Sequence, residues 1–364
     1  PLPAILQRRC ALKNTSRRKV LQVLGALPFL LPPGKGQAPR KLTRFFGPPL
    51  RGPVRKVFAA GPPAAVMVYA LSPEKLLGWP SPLSPEALGF LLPEVRELPV
   101  YGRLVGRAAT VSVETLLALK PDLILDVGTV DETYISAAER ISSQTGIPYA
   151  LVDGRLTESA TQLLEVGELL GKEARAQRLA AYARIALAEA AQYRARPGPR
   201  PRVYLARTAT GLETGLGGSI NVEVIEVAGG INVAAMAGRG GLTKVSFEQL
   251  LAWQPEVILT QDPQFFQSVG QEPIWRRVRA VQTGQVYLLP SLPFGWLDGP
   301  PGVNRLIGLR WLVRRLNTLR EGPEPPPLNW ERETRLFYRL FYGVEPAESQ
   351  VRLLLQGLRG LGLS

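Results

Sequence analysis

Fifteen residues of this 364-residue chain occur twice, and the distance between the copies limits the fold more than any other feature. Val111-Ser112-Val113-Glu114-Thr115-Leu116-Leu117-Ala118-Leu119-Lys120-Pro121-Asp122-Leu123-Ile124-Leu125 returns 134 positions later as Val245-Ser246-Phe247-Glu248-Gln249-Leu250-Leu251-Ala252-Trp253-Gln254-Pro255-Glu256-Val257-Ile258-Leu259, with nine identities. A period that long is a domain length, far above the ~20–50 residues of solenoid units, and predicts two similar lobes. Each copy reads as a Ser-capped short helix, a Pro-marked turn and an apolar strand. Two α/β lobes facing each other enclose a cleft, and clefts between lobes hold small ligands.

The charge of +14 would ordinarily point to a polyanionic partner, but its distribution argues otherwise. Residues 1–38 hold seven basic side chains and no acid, and the other 326 residues carry 37 basic against 30 acidic. No dense basic stripe with interleaved aromatics stands out in that remainder, so nucleic acid is not an expected partner. The chain has no His, and its one Cys is Cys10. Beyond residue 38 an imidazole or thiolate metal site is therefore excluded, as are Ser-His-Asp and Cys-His catalysis. A metal must be held by oxygen ligands or arrive inside its own chelator. No metal ligand, catalytic residue or resident cofactor is assigned.

Residues 1–38 have the parts of an export signal: a charged start, a short apolar run from Val20 to Leu31, and small residues after it. Arg17-Arg18 before that run resembles a twin-arginine signal, which predicts a periplasmic or other extracytoplasmic location. The alternative is a basic arm. Cys10 precedes the arginines, so a lipoprotein anchor is not expected, and a dozen apolar residues fall short of the ~20 needed to span a bilayer.

Along the body, residues 39–55 read as an extended lead-in and 56–156 as an N-terminal lobe of alternating strands and helices, the rhythm of parallel βα units. Residues 157–196 lack Pro after Thr157, are rich in Ala, and space their apolar residues helically. One helix of some 35 residues would be about 50 Å long, bent at Gly167 or Gly171, and would connect the lobes. Residues 197–320 form the C-terminal lobe, and 321–364 a helical extension. The glycines of Gly215-Leu216-Gly217-Gly218-Ser219 resemble a phosphate loop, but Ile220 occupies the third glycine position and the preceding strand lies too far upstream. Close backbone approach is the other reading of that loop.

This layout resembles the substrate-binding proteins of ABC importers for iron–siderophore complexes, haem and cobalamin, over about residues 50–320. The repeat carries the likeness, with Val57-Phe58-Ala59-Ala60-Gly61-Pro62-Pro63, Leu76-Leu77-Gly78-Trp79, Gly229-Gly230-Ile231-Asn232-Val233-Ala234, and the stretch from Phe294-Gly295-Trp296 to Asn304-Arg305-Leu306. The resemblance implies an α/β fold of two Rossmann-like lobes with central parallel sheets, connected by a single long backbone helix. It implies that Glu114 and Glu248 dock into arginine pockets of a membrane permease. An acid two residues after a Ser cap lies at the positive end of a helix, and one per lobe suits bidentate arginine pairing. The alternative is that each Glu only stabilises its helix.

Ligands of open α/β lobes sit beyond the carboxyl ends of strands. Those ends carry Pro62, Pro63, Trp79, Tyr101, Thr129, Asp131 and Tyr134 in the first lobe, and Arg207, Thr208, Ser219, Asp262, Phe294 and Trp296 in the second. Aromatic rings would cover a chelator, and Arg103 or Arg207 would pair with its charge. The expected protein is a monomeric binding protein, not an enzyme, that captures a metal chelate, above all a ferric siderophore. Cobalamin, haem or an oxyanion such as molybdate are alternative ligands. A two-lobed α/β enzyme is the rival from another class, and it would need cysteine cluster ligands that the body lacks.

Overall fold

The structure, a computed structural model, describes residues 41–106, 109–320 and 326–361. The arginine pair Arg17-Arg18 and the export segment lie outside these residues.

The first lobe is a four-stranded sheet in the order β1-β4-β3-β2. Strands β2 (Val57–Ala59), β3 (Leu123–Gly128) and β4 (Tyr149–Asp153) are parallel, and β1 (Thr43–Phe46) adds to the edge antiparallel. The lead-in at 39–55 is thus partly a strand. The Glu165 carboxylate holds it there, accepting from the N–H groups of Leu42 and Thr43 and from the Thr43 hydroxyl at 2.7–3.1 Å. The second lobe is wholly parallel, in the order β10-β9-β5-β7, with β5 (Arg202–Ala206), β7 (Ile231–Asn232), β9 (Val257–Thr260) and β10 (Val286–Leu288). A separate antiparallel pair, β6 (Glu213–Gly215) with β8 (Leu242–Lys244), contains the first glycine of the Gly-rich stretch. A Cβ on Gly215 would lie 2.9 Å from Val222, and one on Gly217 3.2 Å from Ala235, so these glycines serve close packing.

Because strand side chains alternate between faces, each sheet feeds two cores. Val57, Ala59, Leu123, Leu125, Ala150 and Val152 join Val203, Leu205, Val257 and Leu259 in one core common to both lobes. The alternate residues Phe58, Ile124, Tyr149 and Leu151 enter a core of the first lobe alone, while Tyr204, Ala206 and Ile258 enter one of the second. Helix α1 (Pro62–Leu71) lies in the common core and is buried from Ala64 to Leu71.

One expectation is corrected. The 157–196 segment is not one rod. It breaks at Leu170-Gly171-Lys172, with Gly171 at φ +63°, into Ser159–Leu169 and the 22-residue helix Glu173–Arg194. The two fold back on each other so closely that a Cβ on Gly167 would stand 2.2 Å from that of Ala176. The connecting helix is therefore the second piece, about 33 Å long. The residues beyond 326 are helical, as expected, and pack into the common core. Phe337, Tyr338, Phe341 and Tyr342 are fully buried, and Tyr69 of α1 donates to the Tyr342 carbonyl at 2.7 Å. The C-terminal segment thus returns from the second lobe to the first.

Arg305 pins the lobes where they meet. Almost wholly buried, it pairs through Nη1 with Glu223 at 3.2 Å and donates to the Ile220 carbonyl at 2.7 Å. Its Nη2 donates to the Gly154 carbonyl of the first lobe at 3.0 Å, and the other Glu223 oxygen accepts from the Leu156 N–H at 2.8 Å. Removing one partner of a buried pair leaves the other charge uncompensated, a loss of ~3–5 kcal/mol. Arg305→Leu is expected to lower unfolding free energy by about that much; an unchanged urea midpoint would disprove the pinning role.

Candidate functional site

A cavity of about 340 Å³ opens between the lobes. From the first lobe come Pro62 and Pro63, which start α1 just after β2 and need no N–H partner there. Trp79, Ser81 and Arg103 join them from loops. The second lobe contributes Arg207, Asn221, Leu242, Phe294 and Asp298, with Pro293, Pro300 and Pro301 around them. Trp79 and Phe294 meet with ring centroids 6.2 Å apart and are largely buried, so they offer an apolar wall. The Trp79 indole N–H already donates to the Val95 carbonyl at 2.9 Å.

The two cations are held differently. Arg103 donates through Nε and Nη2 to the Ser81 hydroxyl at 3.1 and 3.0 Å, and among the described residues no carboxylate is within ion-pair distance of it. Its charge is available to a ligand. Arg207, at the carboxyl end of β5, pairs with Glu213 at 3.0 Å and with Asp298 at 3.1 Å. Its backbone is fixed by a constrained turn. The β-branched Thr208 sits at φ +65°, outside its ordinary range, and Gly211 lies so close to Phe265 that a Cβ would stand 2.2 Å from the ring. The Arg207 N–H donates to the Glu213 carbonyl at 2.9 Å, closing that turn.

Of the ligand contacts expected from sequence, Pro63, Trp79, Arg103, Arg207 and Phe294 converge on the cavity, with Pro62. The others lie elsewhere. Trp296 is fully buried, with its ring 6.4 Å from that of Trp330. Ser219 is buried and bonded to Asn221. Tyr101 packs on Phe58 against Gly78, where a Cβ would collide with its ring. Asp131 and Asp262 cap helices, and Thr129 is exposed on its loop. Tyr134 is half-buried, its hydroxyl pKa raised by burial and then by the charges of Asp126 and Asp131. Asp298, Asn221, Ser81 and Leu242 went unanticipated, since nothing in their sequence neighbourhood separates them from ordinary loop residues.

Asp126, on β3, is buried within the first lobe and accepts from the Tyr149 hydroxyl at 3.0 Å. Burial pushes its pKa up to about 6, against the pull of the Tyr149 and Val127 hydrogen bonds. A carboxyl raised on folding binds more protons in the native state, so its contribution is full below the unfolded value of ~4 and is lost as pH rises through 6. Asp126→Asn should therefore stabilise the chain by ~1–3 kcal/mol at pH 7 and by almost nothing at pH 4. Equal effects at both pH values in denaturant titrations would refute this.

The two copies of the repeat fold alike. Helix Val113–Leu119 is capped by Ser112, whose hydroxyl accepts from the Thr115 N–H at 3.2 Å, and helix Phe247–Trp253 by Ser246, which accepts from Gln249 at 3.2 Å. Both end in a left-handed non-glycine residue, Lys120 at φ 49° and Gln254 at φ 40°, directly before proline. Glu114 and Glu248 are exposed, each held below the usual carboxylate range by its own backbone N–H and then by the serine hydroxyl. A helix joined by a short turn to the next parallel strand runs against it, which puts both acids at the carboxyl edges of their sheets.

Two facing α/β lobes, a cavity at their strand ends and a matched acidic helix start on each are the layout of a solute-binding protein. The sequence pattern of the periplasmic binding protein family matches residues 92–293, more than half of the chain, and the chain belongs to that family. It is a periplasmic-type binding protein of ABC importers, whose members are solute-binding proteins that work with a cognate permease and a small-molecule ligand. A solved ABC transporter solute binding protein from Sulfurospirillum deleyianum is 31% identical, with TM-score 0.74, covering 84% of this chain and 95% of that one. The molybdate-binding protein MolA of Haemophilus influenzae is 28% identical over 252 residues, 62% of this chain and 68% of its own. The Fe(3+) dicitrate-binding periplasmic protein FecB of Escherichia coli is 28% identical over 223 residues, 57% and 69%. Among the described residues no helix is long and apolar enough to cross a membrane.

Proposed function

We propose that this chain is exported through its twin-arginine-like leader, captures a compact anionic metal chelate, ferric above all, and delivers it to an importer permease that docks on Glu114 and Glu248. One observation carries the ligand class: Arg103, whose side chain is held by the Ser81 hydroxyl and by no carboxylate among the described residues, stands beside an apolar wall of Trp79, Phe294 and prolines, with Arg207 on the opposite wall already paired to Glu213 and Asp298. Guanidinium forks match carboxylate or similar oxygen ligands, while the rings cover the carbon skeleton of a chelator. The volume of about 340 Å³ sits at the small end of the ~300–1,000 Å³ range of ligand sites, which favours a compact chelate over haem or cobalamin. A bare oxyanion is the second reading, supported by that size and by the similarity to a molybdate-binding protein.

Protein purified from its own host should carry a negatively charged, iron-containing species, seen by native mass spectrometry and by charge-transfer absorbance. A co-purified neutral or macrocyclic ligand would overturn the chelate reading. Because Glu114 and Glu248 are exposed and make no ion pair among the described residues, Glu114→Arg with Glu248→Arg should abolish uptake while ligand affinity stays within about twofold. Normal uptake by the double variant would remove the docking role.

A further inference from the structure

We infer that Asp298 selects, among the anions this cleft admits, those that bring a hydrogen-bond donor of their own. The inference rests on the cleft being the ligand site. Asp298 lines the cavity yet is only 3% exposed. Its backbone N–H donates to Gln261 Oε1 at 2.9 Å and its Oδ1 accepts from Asn221 Nδ2 at 2.9 Å, so the residue is held through its main chain and through one carboxylate oxygen. Oδ2 is buried and has no hydrogen-bond partner. Arg207 Nε lies 3.1 Å from it, but off the hydrogen-bond direction, which makes the contact an ion pair and nothing more. The Nη1 of Arg207 is taken by Glu213. One guanidinium thus faces two carboxylates, and this corner of the cleft is acceptor-rich.

A buried carboxylate oxygen without a donor is an unmet bond that a ligand hydroxyl, protonated oxo group or metal-bound water would complete. A fully deprotonated oxyanion brings only acceptors and sets oxygen against oxygen. The negative end of the ligand belongs instead at Arg103, whose partner is the Ser81 hydroxyl. The cleft therefore reads a polarity: charge toward the first lobe, donor toward the second. Sites that hydrogen-bond a substrate group can reject analogues lacking it by ~10⁴-fold. With Arg207 partly neutralising Asp298, we expect at least about tenfold.

Arsenate and molybdate at pH 8 are matched probes, both tetrahedral dianions, of which arsenate alone carries a proton. Calorimetric titration of the full chain should give at least about tenfold tighter binding of arsenate. Asp298→Asn should erase that preference, whereas Glu213→Gln, which frees Arg207 without touching Oδ2, should move both affinities in the same direction. Molybdate binding as tightly as arsenate to the unaltered chain, a read-out that needs no variant, overturns the inference. So does a preference that survives Asp298→Asn. If ferric citrate alone binds, its affinity must fall at least about tenfold in Asp298→Asn, and an unchanged value is equally fatal. Should none of the three bind, the anion reading of the cleft fails and this inference with it.

Discussion

The two lobes meet on a buried arginine. Arg305 ties the end of β4 to Glu223 and to the start of its own helix, Arg305–Thr318. Burial alone holds its pKa below the usual arginine value, with Glu223 and then Asp298 opposing that shift. Such a charge is tolerable only when every donor is occupied, so the carbonyls of Gly154, Ile220 and Gly302 must stay in place. Placement of the cleft walls follows from it, since the glycine-rich loop and the Asp298 loop both approach this point.

A second charged knot lies along the connecting helix. Arg310 pairs with Glu189 of Glu173–Arg194 and with Glu333 of the C-terminal segment, and the Tyr182 hydroxyl donates to Glu333 at 2.5 Å. Burial works against the Arg310 charge, but the Glu189 hydrogen bonds, then Tyr182 and Glu333, raise its pKa above the ordinary arginine value. The common core and these ion pairs join the lobes along most of one side.

The duplicated segment was legible because its information is local. Ser112 and Ser246 cap, Pro121 and Pro255 stop, and the strands that follow are apolar. Strand ends likewise pointed to Pro63, Trp79, Arg103, Arg207 and Phe294, because parallel topology fixes where such ends gather. Trp296 illustrates the limit. It sits two residues from Phe294 in a loop of similar composition, yet turns inward against Trp330, a residue 34 positions away. The break at Gly171 was expected only as a bend, for another reason. Helical spacing persists on both sides of it, and only the tight packing of Gly167 on Ala176 reveals that the chain doubles back. Asp298 was invisible because its character comes wholly from Asn221, Gln261 and Arg207, three partners distant in sequence.

The returning C-terminal segment has a consequence for how the molecule is made. Tyr69 and the Tyr342 carbonyl it bonds are separated by 273 positions, and Phe90 rests on Tyr338. The first lobe leaves the ribosome long before the aromatic residues that seal it have been synthesised. Full burial of that apolar face is therefore completed only once the last helices have emerged.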